Sequence, residues 1–221
     1  MSALIETEAF VLHARSYRNS SLLVDVLTPK YGMMRLIAKG AQKPASKLFG
    51  CLDLLSHLHI TVIGKGDLKT LTQADILHHY GQLGFSARAV CLYINELLLK
   101  LSLQTEQGEI VFNAYQKLLI WLENAVDIHR GLRRFELLLC GLCGYEIVES
   151  QIPEDTEWVR FDPANGIVVD RTHAVCRADV LRAFLQTRRL TSEQYRQIDR
   201  FMLSVVNHLV GGQPIKSREL L

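Results

Sequence analysis

Residues 21–38, SLLVDVLTPKYGMMRLIA, contain the pattern that decides the fold. Two short apolar segments, 21–27 and 33–38, lie on either side of a turn at Pro29–Gly32. Short segments rich in β-branched residues and separated by turn residues are typical of neighbouring β-strands. The same spacing continues on both sides of this stretch as far as Gly81, where the apolar pattern becomes helical.

Five short strands are predicted before Gly81. Besides the two above, they begin near Ala9, span 54–63 and span 68–74, the last two joined by a tight hairpin at 64–67. Five strands with one longer connection between the third and fourth favour a small closed barrel, which has no exposed sheet edge. An OB-type barrel is the natural candidate, and such barrels often bind single-stranded nucleic acid. A small β domain of the SH3 type is the main alternative.

Beyond Gly81, helical periodicity predicts helices over 85–103, 108–124 and 132–143. Thr191 and Gln194 fit a capping box that opens a long helix to about Leu209. Between the helix at 132–143 and this long helix, residues 158–169 resemble a hairpin that turns at Asn165-Gly166. We therefore predict an α+β protein, with an N-terminal OB-fold barrel over residues 1–80 as the nucleic-acid-binding domain. An all-helical C-terminal domain follows over residues 81–221, with a short irregular hairpin insertion at about 150–175.

Composition indicates a globular protein. The 221 residues include 25 Lys and Arg against 23 Asp and Glu, and nearly half are apolar. The first residues carry acids and no basic region, so no signal peptide is expected, and no apolar run is long enough for a membrane span. The five cysteines are scattered, which favours reduced thiols in the cytoplasm.

The charges are unevenly distributed along this nearly neutral chain. Between Val26 and Leu52 there is no acidic residue. The same stretch carries five cations, at Lys30, Arg35, Lys39, Lys43 and Lys47. A patch of one sign on a balanced surface is what a polyanion binder needs. By charge alone, a solvated lysine loop explains the stretch equally well.

No enzyme motif is found. The sequence has no GxxxxGK[ST], HExxH or GxSxG motif and no paired carboxylates. Cys140 and Cys143 form a CxxC, but they fall late in a hydrophobic helix and no second ligand pair follows. We interpret them as buried structural thiols. We therefore predict no catalytic residue, no cofactor and no metal.

Several segments together resemble one known family. They are EAFVLHARSYRNSSLLVD (8–25), RLIAKGA (35–41), GKGDLKTLTQA (64–74), YINEL (93–97), LRRFEL (132–137) with GY (144–145), and GGQPIKSREL (211–220). In this order and spacing, the chain resembles the RecO family of bacterial recombination and repair mediators. The resemblance spans essentially the whole chain.

The resemblance implies a DNA-binding protein without enzymatic activity, made of an OB fold and a helical domain. Such proteins bind single- and double-stranded DNA and anneal complementary strands. They engage the acidic C-terminal tail of the single-stranded-DNA-binding protein, and with RecR they help to load the recombinase RecA. A cytoplasmic, nucleoid-associated protein that does not bind membranes is therefore expected. The alternative is an adaptor whose barrel binds RNA or only another protein.

Two sets of site residues are predicted. Cations on barrel strands and loops would form a track for backbone phosphates, namely Arg35, Lys39, Lys43, Lys47, Lys65 and Lys69. Tyr31 and Phe49 flank the basic loop and either stack on bases or serve structural roles.

The resemblance places Arg133 where the family binds the acidic partner tail, and Arg134 is adjacent. Leu118, Trp121 and Leu122 would form the wall of an apolar groove for that tail. Alternatively, the two arginines simply pair with Glu136 or Glu123. Some family members hold zinc through four cysteines after the Gly-Tyr pair, but residues 146–174 contain no cysteine, so no structural zinc is expected.

Overall fold

The stretch around Pro29 forms the predicted strand pair in the computed structural model, which describes residues 4–101, 103–124 and 127–221. Strand β1 spans Leu4–Tyr17, β2 Ser21–Thr28, β3 Gly32–Ala38, β4 Ser56–Ile63 and β5 Leu68–His79. Within the described residues these five strands close into a barrel in the order β1-β2-β3-β5-β4. The predicted OB-type barrel is thereby confirmed, with β3 and β5 as its parallel pair.

Strand β1 closes the barrel because it pairs with two neighbours. Its first half, from Leu4 to Phe10, lies antiparallel to β4, and its second half, from Phe10 to Tyr17, lies antiparallel to β2. The register shifts between Val11 and His13, which is a bulge. A bulge bends a strand and increases its twist, so one 14-residue strand can serve both sides of the barrel.

The barrel interior is filled by alternate residues of each strand and by the long connection between β3 and β4. Val24 and Val26 from β2 and Leu36 and Ala38 from β3 belong to this core. The connection adds Ala41, Leu48 and Leu52, which are also buried there. The basic loop is therefore anchored by its own apolar residues, each large one contributing about 1.5–3 kcal/mol by burial.

Two helices complete the first compact unit, which comprises the described residues up to Ile128 together with Lys216–Leu221. They are α1, Phe85–Lys100, and α2, Gly108–Glu123. The buried Asn95 of α1 donates a hydrogen bond to the carbonyl of Leu12 in β1, and the Tyr115 hydroxyl of α2 donates to Asn95 Oδ1. Phe10 packs with its ring centroid 4.8 Å from that of Phe112. Both helices are thus fixed to the outer side of β1.

The last segment of the chain returns to this unit. Lys216–Leu220 forms a 3₁₀ turn whose first two backbone N–H groups, at Lys216 and Ser217, donate to the carboxylate of Glu96 on α1. Burial raises the pKa of Glu96, but these hydrogen bonds, the Ser217 hydroxyl and Lys100 outweigh it, so the pKa lies below its usual value. Glu96 therefore stays ionised at neutral pH and holds the turn.

The second unit, His129–Ile215, is mainly helical. Helix α3, Ile128–Leu142, leads into it. There β6, Trp158–Asp162, β7, Gly166–Val169, and β8, Cys176–Arg177, form a three-stranded sheet ordered β7-β6-β8 in the described structure. Helices α4, Ala178–Leu185, and α5, Ser192–Leu209, follow, and Thr191 caps α5 as predicted. The core of this unit includes Phe161, Phe184 and Phe201.

Three local differences from the sequence pattern have physical reasons. Leu55 has φ +67°, so β4 begins at Ser56 and not at residue 54. Helix α4 has eight residues, which is too few for helical periodicity to show, and it is stabilised by burial of residues such as Phe184. The predicted Asn165-Gly166 hairpin is confirmed, and the two-residue β8, too short to show in the sequence pattern, pairs with β6 and donates the Arg177 N–H to Gln197 Oε1. No helix among the described residues combines the length and apolarity needed to cross a bilayer.

A stability measurement tests how closely α2 approaches the β2–β3 turn. A Cβ atom on Gly108 would lie 2.8 Å from both the Pro29 carbonyl oxygen and the Gly32 nitrogen, which are backbone atoms that cannot easily move. We expect Gly108→Ala to reduce the free energy of unfolding in urea by about 1–3 kcal/mol. The control is Gly141→Ala in α3, where a Cβ meets nothing within 4 Å and stability should be unchanged or slightly higher. Equal stability of the two variants would contradict the close approach.

Candidate nucleic-acid interface

The outer surface of β3 carries Arg35. The core side of this strand is Met34, Leu36 and Ala38, so Arg35 and Ile37 point outward. Across the sheet, Asp25 of β2 lies opposite Arg35, and His13 of β1 lies opposite Asp25. The side chain of Arg35 is 56% exposed and is therefore accessible to a ligand.

Further cations lie at the end of β3 and beside it. Lys39 follows Ala38 and is exposed, as are Lys43 and Lys47 in the connecting loop. The backbone N–H of Gln42 donates to the Ser20 carbonyl and its side-chain amide to the Ser21 carbonyl, at 3.0 and 2.6 Å. These two bonds hold the loop against the turn between β1 and β2.

Arg15 and Arg18 join this surface, although sequence reasoning did not include them in the site. Arg15 is exposed on β1, two residues after His13, and pairs with Leu23 of β2. Arg18 is exposed in the β1–β2 turn. The signal was present in the sequence, since His13, Arg15 and Tyr17 alternate along one strand. We call the surface formed by Arg15, Arg18, Arg35, Lys39 and Lys43 the cationic face.

Lys65 lies toward the other end of β3, whereas Lys69 pairs with Leu36 of the core row and not with the outward Arg35. Because β3 and β5 are parallel, with Arg35 opposite Leu68, the hairpin that carries Lys65 lies beside the beginning of β3 and Lys39 beyond its end. Lys69 is half-buried, and its Nζ donates to the Gly66 carbonyl at 2.7 Å. The predicted cations thus span the length of β3, about 20 Å for seven residues. A strip of this length is comparable with the site of one OB fold on several nucleotides.

The opposite side of the barrel is acidic. Glu6 and Glu8 point outward from the first half of β1. In the next strands, Glu8 is opposite His59, and His59 is opposite Asp75 of β5, which is also exposed. These carboxylates therefore lie on a different side of the barrel from Arg15 and Arg35, which composition alone does not reveal.

The aromatic candidates differ in exposure. Phe49 is 53% exposed in the basic loop. Tyr31 packs partly against the barrel core, with Lys30 Nζ 5.8 Å from its ring centroid. Phe49 is therefore the more accessible of the two for stacking on a base. On β4, His57 is buried and stacked on Phe10 with 4.4 Å between ring centroids.

The predicted tail-binding residues fall in both units, and each is described within its own. In α2, Leu118 and Leu122 are buried, while Trp121 is partly exposed and its Nε1 donates to the Asp127 carbonyl at 3.1 Å. In α3, Arg134 is exposed. Arg133 donates to Glu136 Oε2 at 2.6 Å and to Asp199 Oδ1 at 2.9 Å. The side chain of Glu136 is fully buried, so Arg133 compensates a buried charge.

Cys140 in α3 and Cys143 directly after it are free thiols. Burial raises the pKa of the Cys140 thiol to about 12, and burial also raises the pKa of Cys143. Thiols that stay protonated at neutral pH are poor nucleophiles. In the part of the chain that the structure describes, no group of three or more His, Cys, Asp or Glu side chains could hold a metal ion.

Comparison with known proteins gives a consistent result. Residues 1–80 match the family described as Recombination protein O N terminal, and residues 83–151 match Recombination protein O C terminal. The DNA repair protein RecO of Aliivibrio salmonicida is 33% identical over 222 residues, covering 96% of this chain and 92% of the relative. The protein of the same name from Enterobacter sp. strain 638 is 34% identical over 224 residues, covering 96% and 94%.

The ion pairs of Arg133 make a prediction about stability. Arg133→Ala leaves Glu136 buried without its guanidinium partner, and we expect a loss of about 3–5 kcal/mol in the free energy of unfolding. The exposed neighbour provides the control, because Arg134→Ala should change stability by no more than about 0.5 kcal/mol. Urea denaturation followed by circular dichroism measures both. A neutral Arg133→Ala would mean that this arginine is available to a ligand at little cost.

Proposed function

Because this chain belongs to the RecO family and has a role in DNA repair and recombination, we propose that its barrel binds DNA through backbone phosphates. The observation that carries the proposal is the two-sided charge of the barrel, with Arg15 of β1 and Arg35 of β3 exposed on one side and Glu6 and Glu8 of β1 and Asp75 of β5 exposed on another. The proposed contacts are Arg35, Lys39, Lys43, Lys47, Lys65 and Lys69, and we add Arg15 and Arg18, which are exposed on β1 and in the β1–β2 turn.

The proposed mode of binding follows from the chemistry of these groups. Lysine and arginine neutralise phosphates and release condensed counterions, so affinity falls steeply with salt and depends little on sequence. Cations on one face of the barrel would let a single strand follow them with its bases accessible. Both single- and double-stranded DNA are candidate ligands, since both present phosphates.

We further propose that the protein anneals complementary strands. Two DNA strands repel each other through their phosphates, and a protein that neutralises one backbone lowers this repulsion while its bases remain free to pair. In the cell, the strands would be coated by the single-stranded-DNA-binding protein, whose acidic C-terminal tail is the proposed ligand of the second set of residues. Arg134, with Arg133, is the candidate for the carboxylates of that tail. Leu118, Trp121 and Leu122 remain the predicted apolar contacts.

The remaining parts of the proposal concern the biological context. RecR is the proposed partner in loading RecA onto the coated strand, and association with the nucleoid would follow from DNA binding. We assign DNA binding to residues 1–80 and protein interactions to residues 81–221. None of these steps needs a nucleophile, cofactor or metal, so we propose that the protein is not an enzyme.

Strand annealing tests the proposed function. Complementary strands are coated with the single-stranded-DNA-binding protein, in its full-length form or without its acidic tail, and duplex formation is followed by fluorescence quenching. We expect this protein to accelerate annealing of the strands coated with the full-length form and to lose most of the effect without the tail. Absence of annealing on any substrate would refute the proposed function. If annealing is equally fast with and without the acidic tail, only the proposed tail binding is refuted.

The salt dependence of DNA binding tests the position of the interface. Replacing Lys39, Lys43 and Lys47 together by Ala should reduce the slope of log K against log[salt] by about 2 for single strands, at roughly 0.7 per phosphate. The charge-matched control replaces three exposed cations outside the barrel, Lys117, Arg171 and Arg196, and should leave the slope nearly unchanged. If both triple variants reduce the slope equally, binding is not confined to the barrel.

A further inference from the structure

A carboxylate lies within the cationic face. Asp25 is the central residue of a row across three strands, with His13 on β1 and Arg35 on β3 as its neighbours. Arg35 Nε donates a hydrogen bond of 2.6 Å to Asp25 Oδ1, and His13 Nδ1 lies 3.6 Å from Asp25 Oδ2. An anion at this position opposes the attraction of a polyanion, so its presence requires a physical explanation.

The two partners of the Asp25–Arg35 pair differ in exposure. The side chain of Asp25 is 9% exposed and that of Arg35 is 56% exposed. The carboxylate is therefore held within the sheet surface, whereas the guanidinium extends into solvent. A guanidinium is planar, and a hydrogen bond from Nε fixes one edge of the plane while leaving Nη donors for a second ligand.

We propose that Asp25 is a positioning residue, which orients the guanidinium of Arg35 so that its Nη groups bind a DNA phosphate in bidentate geometry. This inference rests on the proposed DNA-binding function and specifies how one contact of that interface is built. Arg35 lies midway between Lys39 and the Lys65 hairpin along β3. The oriented arginine would therefore define the centre of the strip, and the more mobile lysines would act mainly as point charges on either side.

The energetic basis is the conformational entropy of the arginine side chain. A free arginine must give up several rotamers when it binds a phosphate, whereas one that is already held by Asp25 loses fewer. The opposing effect is the negative charge of Asp25 itself, which is partly neutralised by the pair and is screened over about 8–10 Å at physiological salt. The inference holds only if orientation outweighs charge, and this determines the sign of a measurable effect.

Asp25→Asn tests that sign. The substitution keeps the shape of the side chain but replaces a charged acceptor by a neutral one, which binds Nε about half as strongly. We expect the affinity for a labelled oligothymidylate, measured by anisotropy, to fall by about 3- to 10-fold despite the added positive charge. The salt slope should fall by about 0.7 as one phosphate contact is lost.

The same substitution in an Arg35→Ala background isolates the charge effect. Without a guanidinium to orient, Asp25→Asn removes only an anion and should raise the affinity, which reverses its sign. Asp67→Asn, in the exposed β4–β5 hairpin, is the control and should raise the affinity in both backgrounds. An increase for Asp25→Asn in both backgrounds would overturn the inference and leave DNA binding by the barrel intact.

Arg35→Lys keeps the inference testable if Asp25→Asn does not fold, because Arg35 is exposed and its replacement retains the charge. We expect this variant to bind DNA nearly as weakly as Arg35→Ala, since the ammonium group of lysine cannot bind a phosphate in the bidentate geometry of a guanidinium. Binding as tight as that of the unchanged protein would overturn the positioning role. Absence of salt-dependent DNA binding by the unchanged protein would instead refute the proposed function, and this inference with it. Circular dichroism of each variant confirms folding.

Discussion

The barrel depends on one constraint, which is that β1 must pair with β4 and β2 at once. The register shift between Val11 and His13 meets this constraint, because it bends the strand where it passes from one partner to the other. The bend also divides the outer surface of β1. Glu6 and Glu8 precede it on the side of β4, and His13 and Arg15 follow it on the side of β2. One local irregularity thus closes the barrel and separates its acidic side from its cationic side.

Helices α1 and α2 cover part of the remaining outer surface. Their attachment depends on the buried hydrogen bonds from Tyr115 to Asn95 and from Asn95 to the Leu12 carbonyl. In this series of hydrogen bonds each buried polar group has a partner, so the buried side-chain amide of Asn95 is compatible with an apolar interface. Phe10 lies beneath the helices, whereas Arg35 remains exposed. The helices therefore cover the outer surface around Phe10 and leave Arg35 of the cationic face exposed to solvent.

The electrostatic surface of this protein depends on where the charged residues lie and not on a large net charge. The chain carries a formal charge of only +2, yet Arg15 and Arg35 are exposed on a different side of the barrel from Glu6, Glu8 and Asp75. Such an arrangement gives a local field without strong self-repulsion of the folded state. Asp25 is the exception within the cationic face, and its bond to Arg35 links the local chemistry of the surface to the strand register. The basic loop is also part of the packed structure, because Leu48 and Leu52 are buried in the barrel core.

Local sequence pattern determined the five barrel strands, helices α1, α2, α3 and α5, the Thr191 cap and the Asn165-Gly166 hairpin, because each depends on residues within a few positions of one another. The basic stretch that contains Arg35, Lys39 and Lys43 was equally visible, since an absence of acids needs no fold to be recognised. Tertiary structure alone decided which cations share a face. The parallel pairing of β3 with β5 placed Lys65 and Lys39 toward opposite ends of one strip, and the bulge in β1 brought Arg15 beside it. Tertiary structure also placed Arg133 against the buried Glu136 and Asp25 beneath Arg35. Strand register and burial join residues that are distant in sequence, and sequence spacing does not specify those contacts.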